Sequence, residues 1–324
     1  MNEIPRFISK QLGKLISVKA LLKLNTPVFQ PFYHVVSNEK LPHILNYNYR
    51  NTIQFEKELD FYLQYFKPVS LAELVSNKNS DEKIFHLSFD DGLKECAEII
   101  GPILLKKGVP ATFFVNTGFV DNKKLFHKYK ASLILRKLKE MPDLNLEKFA
   151  KEQNLQGEQI LKATILQESI LDEAATLLGI DFDDFLAEQK PYLTTEQILN
   201  LKNQGFSIGA HSFNHPEFWM ISEEEQMNEV IKSMNWLVEK INPEIKAFSF
   251  PFTDSGVSLK VLKSLKSENI CDITFGTAGI KYDELEHHFQ RYPVEKNGDF
   301  ILNLKTELVY FVLRKLIGKG MVKH

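Results

Sequence analysis

Cysteine is scarce in this chain of 324 residues: Cys96 and Cys271 are its only two. Two cysteines make no disulfide framework and form no metal-binding spacing, so both are expected to act as small buried hydrophobes. A basic excess is missing too. The formal net charge of −2 argues against a nucleic-acid partner, which would call for clustered positive charge. Long apolar runs are absent. The longest near the C-terminus, Leu308 to Leu313, falls far short of the roughly 20 residues that cross a bilayer. Residues 1–25 lack the uncharged apolar core of a secretory signal, because Arg6, Lys10, Lys14, Lys19 and Lys23 interrupt it. These absences make the cytoplasm the expected address. No internal repeat or low-complexity segment stands out. With 44% hydrophobic and 25% charged residues, the chain has the profile of a soluble globular protein with ample core.

The elements alternate. Val28 to Val36 reads as a strand, Gln54 to Phe66 as a helix and Pro68 to Leu74 as a strand-to-helix turn. Ile84 to Phe89 is an expected strand after the polar run Asn77 to Lys83. Leu93 to Lys107 is a helix ended by Gly108, and Ala111 to Val115 a strand. Further strands are predicted at Ser207–Ala210, Ala247–Phe252, Ile273–Thr277 and Phe289–Val294, with helices at Ser222–Ile241 and Leu259–Leu265. Strand and helix in alternation with short turns predict parallel strands in an α/β barrel or a doubly wound sheet. Residues 121–192 break the rhythm with helical patterning and no strand signal. They read as a helical insertion in one βα connection, expected near the active face of a barrel. The whole of 1–324 is expected as one domain, with amphipathic helices at 1–25 and 299–324. Those basic, apolar-striped ends either dock side by side or lie on a membrane surface.

Two stretches carry chemistry. Ile84-Phe85-His86-Leu87-Ser88-Phe89-Asp90-Asp91-Gly92 ends a strand in two carboxylates. Adjacent residues at a strand end point in opposite directions, so Asp90 and Asp91 suit two separate jobs, such as one on a metal and one on a water. A helix cap at Asp90 is the plainer alternative. Gly205-Phe206-Ser207-Ile208-Gly209-Ala210-His211-Ser212-Phe213-Asn214-His215-Pro216 ends another strand in two histidines. Imidazole is the commonest zinc ligand, and catalytic zinc uses three protein ligands with one open position. His211, His215 and one of the two aspartates would complete such a set. Ser212 excludes the helical zinc-protease motif, which needs Glu after the first His.

Ser-Phe-Asp-Asp-Gly at 88–92, His-Ser-Phe-Asn-His-Pro at 211–216 and Phe-Ser-Phe-Pro-Phe at 248–252 resemble the first three motifs of the polysaccharide deacetylases (carbohydrate esterase family 4, the NodB-homology domain). The resemblance covers roughly 28–120 and 194–295. It implies a distorted (β/α) barrel with a divalent metal, usually zinc, and removal of acetyl from an N-acetylated sugar or glycan. Carried over by position, Asp91, His211 and His215 would hold the metal and Asp90 would be the general base. The backbone N–H of Phe252 would receive the oxyanion. The family's late Leu-x-His acid motif is missing after residue 252, and His287 and His288 sit in an acidic turn-like stretch that fits poorly. Pro31-Phe32-Tyr33-His34-Val35-Val36 resembles a branch with an early Tyr-His strand, which makes His34 the proposed acid.

The chain departs from the pattern where many members carry an arginine that holds the base: Ser249 stands there, unable to make a bidentate charged contact. Arg291 either takes that role from another barrel position or pairs at the surface with Glu284 or Glu286. Thr253 replaces the glycine that often follows the aromatic of the third motif. Three functions stay open: a metal-dependent sugar deacetylase, a metal-holding but inactive carbohydrate-binding module, and a hydrolase of a non-sugar amide. Aromatic platforms favour a sugar; Phe213, Phe218, Trp219 and Phe252 are the candidates, each also a plausible core residue. A cytoplasmic intermediate, nucleotide-linked or lipid-linked, is the expected form of substrate; peripheral membrane contact through the terminal helices stays open, with packing of the first helix on its own domain the preferred reading. The oligomeric state is not legible.

Overall fold

A computed structural model describes residues 3–76, 82–140, 151–153 and 155–324. Residues 1–2 of the predicted first helix, 77–81 of the predicted polar run, and 141–150 and 154 of the predicted insertion lie outside the described residues. Eight short strands carry the fold: β1 (Pro31–Tyr33), β2 (Leu87–Phe89), β3 (Ala111–Val115), β4 (Ser207–Ala210), β5 (Ala247–Ser249), β6 (Ile273–Gly276), β7 (His288–Gln290) and β8 (Tyr292–Pro293). They form one parallel sheet in the order β7-β6-β5-β4-β3-β2-β1-β8. The outermost strands, β7 and β8, are consecutive in sequence and separated only by Arg291. One chain segment thus serves both edges and closes a distorted barrel. The predicted strand Phe289–Val294 splits for this reason, since its first half pairs with β6 and its second with β1.

Two other expected elements are interrupted. Ile84–Phe89 divides at His86: Ile84–Phe85 pairs with Lys67–Pro68, while β2 joins the barrel. His86 is buried between the Val69 carbonyl at 2.9 Å and the Thr112 hydroxyl at 3.0 Å. The helix expected over 93–107 begins as a wide turn at Cys96–Ile100 before α-helix Gly101–Lys107. Pro102 has no N–H to donate to the carbonyl four residues back, so the register resets there. Gly108 ends it in the left-handed region.

Helix α1 (Glu3–Leu15) lies against helix α2 (Phe300–Leu316), with Arg6 on Glu307 at 2.9 Å. The two predicted terminal helices therefore dock on each other. They are not equivalent, because α2 buries Leu304, Leu308, Val309 and Phe311 in the core.

The catalytic-looking loops stand at the C-terminal ends of β2, β4 and β5, the face where barrels of this kind place their sites. Gly92 makes the β2 turn possible. Its φ of +64° favours glycine, and a Cβ there would lie 3.0 to 3.2 Å from Val115. Gly92→Ala is expected to destabilise the chain by about 1–3 kcal/mol, read by urea unfolding; an unchanged midpoint would show that the turn tolerates a side chain.

Candidate active site

The strand ends bring together residues far apart in sequence. Asp91, His211 and His215 are all buried, with one ligand atom of each within 4.8 Å of the others. Asp91 Oδ1 is 3.2 Å from His215 Nε2 and 3.8 Å from His211 Nε2. Two ligands at tetrahedral angles around zinc lie roughly 3.4 Å apart, so the spacing suits a cation in the middle. Asp91 Oδ1 is buried without a hydrogen bond, a condition that costs about 1–3 kcal/mol unless something fills it. His211 donates from Nδ1 to the Ser249 carbonyl at 2.8 Å, which leaves the Nε2 lone pair facing the carboxylates. Burial, aided by nearby Arg291, brings His211 down to about 4 despite the raising influence of Asp90 and Asp91. It is thus neutral near pH 7. A carboxylate oxygen and the His211 Nε2 lone pair, with His215 Nε2 3.2 Å from that oxygen, form a buried donor set that fits a divalent cation.

A second group, Asp254, Asp283, His288 and His324, is as close-knit but differs in a decisive way. Gln290 Nε2 donates to Asp254 at 2.6 Å and Asp283 at 2.9 Å, and its Oε1 is fixed by Ala278 N–H. His288 meets Asp254 at 3.0 Å and His324 meets Asp283 at 3.0 Å. The Gln290 amide thus already donates to both carboxylates, and each histidine already has a carboxylate partner, so these groups satisfy one another.

Asp90 does not cap a helix. It is held by Arg291, whose Nη1 and Nη2 donate to its two oxygens at 2.8 and 2.7 Å. Arg291 is fully buried, and also reaches Ser88 at 3.0 Å and the Ser249 hydroxyl at 2.5 Å. The surface pairing with Glu284 or Glu286 is not what forms. Burial works to raise the Asp90 carboxyl, but Arg291 and His211 hold it below the ordinary range. Ser249, where family members often carry arginine, receives the guanidinium of an arginine supplied from the barrel seam.

His34 stands beside this group with a quarter of its side chain exposed. Glu295 accepts from its Nδ1 at 2.5 Å and from the His34 N–H at 3.1 Å. Burial opposes the charged ring, yet Glu295, then Asp91 and Asp90, raise His34 to about 9. Its ring stacks on Tyr47 at 4.5 Å. Phe252 and Trp219 are both partly exposed and meet edge to face at 5.9 Å, with Phe252 against the His215 ring at 4.6 Å. Phe218 is core, packed on Phe250; Phe213 is half-buried.

Glu295 was not visible as a functional residue, nor were Tyr47 and Tyr129. The Tyr129 hydroxyl reaches Asp91 Oδ2 at 3.1 Å, with Tyr47 bonded to it at 2.9 Å. Tyr129 belongs to helix His127–Glu140 within 121–192, so this segment packs on the site. The only signal for Glu295 was its place just after the last predicted strand. Arg50 binds the Val294 carbonyl at 2.8 Å and Glu58 at 2.7 Å, which fixes the segment that carries Glu295.

A barrel of parallel strands with an Asp-His-His cradle and an arginine-held aspartate is the arrangement of a metal-dependent hydrolase. The sequence profile of the family described as polysaccharide deacetylase matches residues 77–270, more than half of the chain. The chain belongs to this family, and is accordingly an amide-bond hydrolase that removes acetyl groups from N-acetylated sugars. Among solved structures, it resembles IcaB from Ammonifex degensii (TM-score 0.57, 14% identity, covering 88% of this chain and 98% of that one). It also resembles the Streptococcus pyogenes deacetylase PplD in complex with acetate (0.55, 18%, 88% and 99%). A de-N-acetylase from Aggregatibacter actinomycetemcomitans matches similarly (0.54, 12%, 86% and 99%). At these identities the likeness establishes the barrel fold. No curated protein matches the chain. Among the described residues, no helix is long and apolar enough to cross a membrane.

Removing Arg291 strands a buried carboxylate. Arg291→Met is expected to cost about 3–5 kcal/mol in urea unfolding, with much of the loss recovered by adding Asp90→Asn. A double variant no more stable than the single one would show that the pair is not what matters there.

Proposed function

We propose that Asp91, His211 and His215 hold one divalent cation, zinc by its preference for two imidazoles and a carboxylate. Asp90, His34 and Phe252 would then perform the proton transfers and charge stabilisation of sugar N-deacetylation. The buried, unpartnered Asp91 Oδ1 facing two Nε2 atoms carries this reading. When bound, such a cation polarises the acetyl carbonyl and lowers the pKa of water.

The chain's own residues supply the rest. Asp90, ionised beside Arg291, accepts a proton from the attacking water. The Phe252 N–H, which has no acceptor among the described residues, donates to the developing oxyanion. His34, kept protonated by Glu295, delivers a proton to the departing nitrogen as the C–N bond breaks, since an amide anion leaves too poorly alone. The products are acetate and a free amino sugar. Arg291 on Asp90 supports activity over an inactive carbohydrate-binding module, whose case rested on Ser249. The exposed Trp219 and Phe252 pair offers a stacking surface for a sugar ring, which favours a sugar over a non-sugar amide.

Asp90→Asn is expected to keep the metal while losing about 10²–10⁴-fold in turnover, and His211→Ala to lose both. Elemental analysis beside deacetylation of an N-acetylated sugar panel reads this, and full activity in Asp90→Asn would overturn the assignment of the base.

His34 should also shape the pH profile. Its raised pKa keeps the acid protonated through neutral pH, and the proton is lost as pH rises through the folded value of about 9. The alkaline limb of kcat/KM should therefore move to lower pH in Glu295→Gln, toward the ordinary histidine value. A limb that stays in place would remove His34 as the acid.

A further inference from the structure

Helix α1 is inside out for a helix packed on its own domain. The face toward α2 is polar and small: Arg6 pairs with Glu307 and lies over the Tyr310 ring at 4.5 Å, Ser9 is fully buried, and Gly13 meets the backbone of Thr306. The opposite face holds Ile4, Phe7, Ile8, Leu12 and Leu15, all exposed; Ile4 is 75%, Phe7 64% and Leu15 84% accessible. Their spacing sets them in one stripe along the helix. A packed surface helix normally turns such a stripe inward.

The charge around this stripe is equally one-sided. Residues 3–25 contain five basic residues, Arg6, Lys10, Lys14, Lys19 and Lys23, against one acidic residue, Glu3 at the start of the helix, in a chain of net charge −2. Arg6 is used by Glu307. The four lysines are exposed and have no acidic partner among the described residues. Solvent-facing aliphatic and phenyl groups beside unpaired ammonium groups match the two phases of an anionic lipid surface: acyl chains for the stripe and phosphate-bearing headgroups for the lysines. A protein partner would need to supply a matching apolar groove with an acidic rim, whereas a lipid surface presents both without further shape.

We propose that α1 is an in-plane docking face for an anionic membrane surface. The helix rests with Ile4, Phe7, Ile8, Leu12 and Leu15 in the interface and Lys10 and Lys14 against the headgroups, joined by Lys19 and Lys23 of the segment that follows it. The barrel is thereby held at the bilayer. This attachment is independent of the chemistry at Asp90 and the metal cradle.

Co-sedimentation of the full chain with vesicles of phosphatidylglycerol and phosphatidylcholine in equal parts tests it. Binding should be strong at low salt, should fall as salt screens the lysines, and should be at least about tenfold weaker on phosphatidylcholine alone. Phe7→Glu and Lys10→Glu/Lys14→Glu should each lower binding about tenfold or more, while circular dichroism and turnover of a soluble N-acetylated sugar stay at the parent level. Equal binding to both vesicle types, no binding to either, or variants that bind as the parent does would overturn the proposal. So would a dimer in solution that Phe7→Glu dissolves, since a second copy would then own the face. Failure of turnover with vesicle binding intact would speak only to the site chemistry.

Discussion

The bidentate contact between Arg291 and Asp90 is the constraint on which the barrel interior and the site both depend. Arg291 is the single residue between β7 and β8, so its backbone bridges the two ends of the sheet. Its N–H bonds the Gly276 carbonyl and its own carbonyl receives the Gly279 N–H. From that seam the guanidinium crosses to β2 at Ser88 and Asp90, and to β5 at Ser249. It lies over the Phe32 ring at 4.3 Å. A buried ion pair roughly breaks even against apolar packing of the same volume, so stability alone gives little reason to keep one here. Its effect is orientation and charge: Asp90 is locked with both oxygens satisfied and remains ionised in a dry pocket.

Much of this was legible in the sequence, and the reason is local. Asp-Asp-Gly and His-x-x-x-His at strand ends are short patterns whose geometry follows from the strand itself, so the cradle is readable once two strands are known to be neighbours. Arg291 could be named but not placed, because its partner lies about 200 residues away and no local periodicity encodes which strand closes a barrel. Glu295 was missed for the same reason: it contacts His34 across 261 positions. Strand breaks at His86 and Arg291 were invisible because both residues sit inside apolar, β-rich runs. They break for tertiary reasons, one to reach a neighbouring hydroxyl and one to serve two edges. Tyr129 lay in a segment with ordinary helical patterning, where one tyrosine in a buried face carries no mark of what its hydroxyl touches.

The site also stores backbone strain. Asp91, Ser212, His215 and Phe252 all adopt positive φ, between 54° and 72°, a region that L-residues other than Asn, Asp and His seldom enter. For Ser212 and Phe252 this costs on the order of 1–3 kcal/mol each unless the surroundings enforce it. Two of these four are proposed ligands and a third carries the proposed oxyanion donor. Enforcement comes from the flanks: Ser212 Oγ receives the His215 N–H at 2.9 Å, and Glu229 takes the Phe213 and Asn214 N–H groups. The Thr277 hydroxyl donates to the Phe252 carbonyl at 2.9 Å. The strained loops are thus pinned by neutral and charged hydrogen bonds that do not touch the reacting positions, which leaves Asp91 Oδ1 and the Phe252 N–H unengaged.

Hydrolysis of an acetamide needs a base that is empty and an acid that is full at the same pH, a few ångströms apart. Here one buried and one partly buried ion pair impose opposite states. Arg291 supplies positive charge to Asp90, so the carboxylate stays deprotonated; Glu295 supplies negative charge to His34, so the imidazole stays protonated. Both partners come from the same stretch, Arg291 and Glu295, four positions apart at the barrel seam. That stretch is also fixed by Arg50 on the Val294 carbonyl. A single closing segment therefore carries the charged partners of both candidates, and a shift in its register would disturb the proposed acid and the proposed base together. This coupling gives the seam, whose motifs are the least recognisable in the sequence, control over the chemistry written in the most recognisable ones.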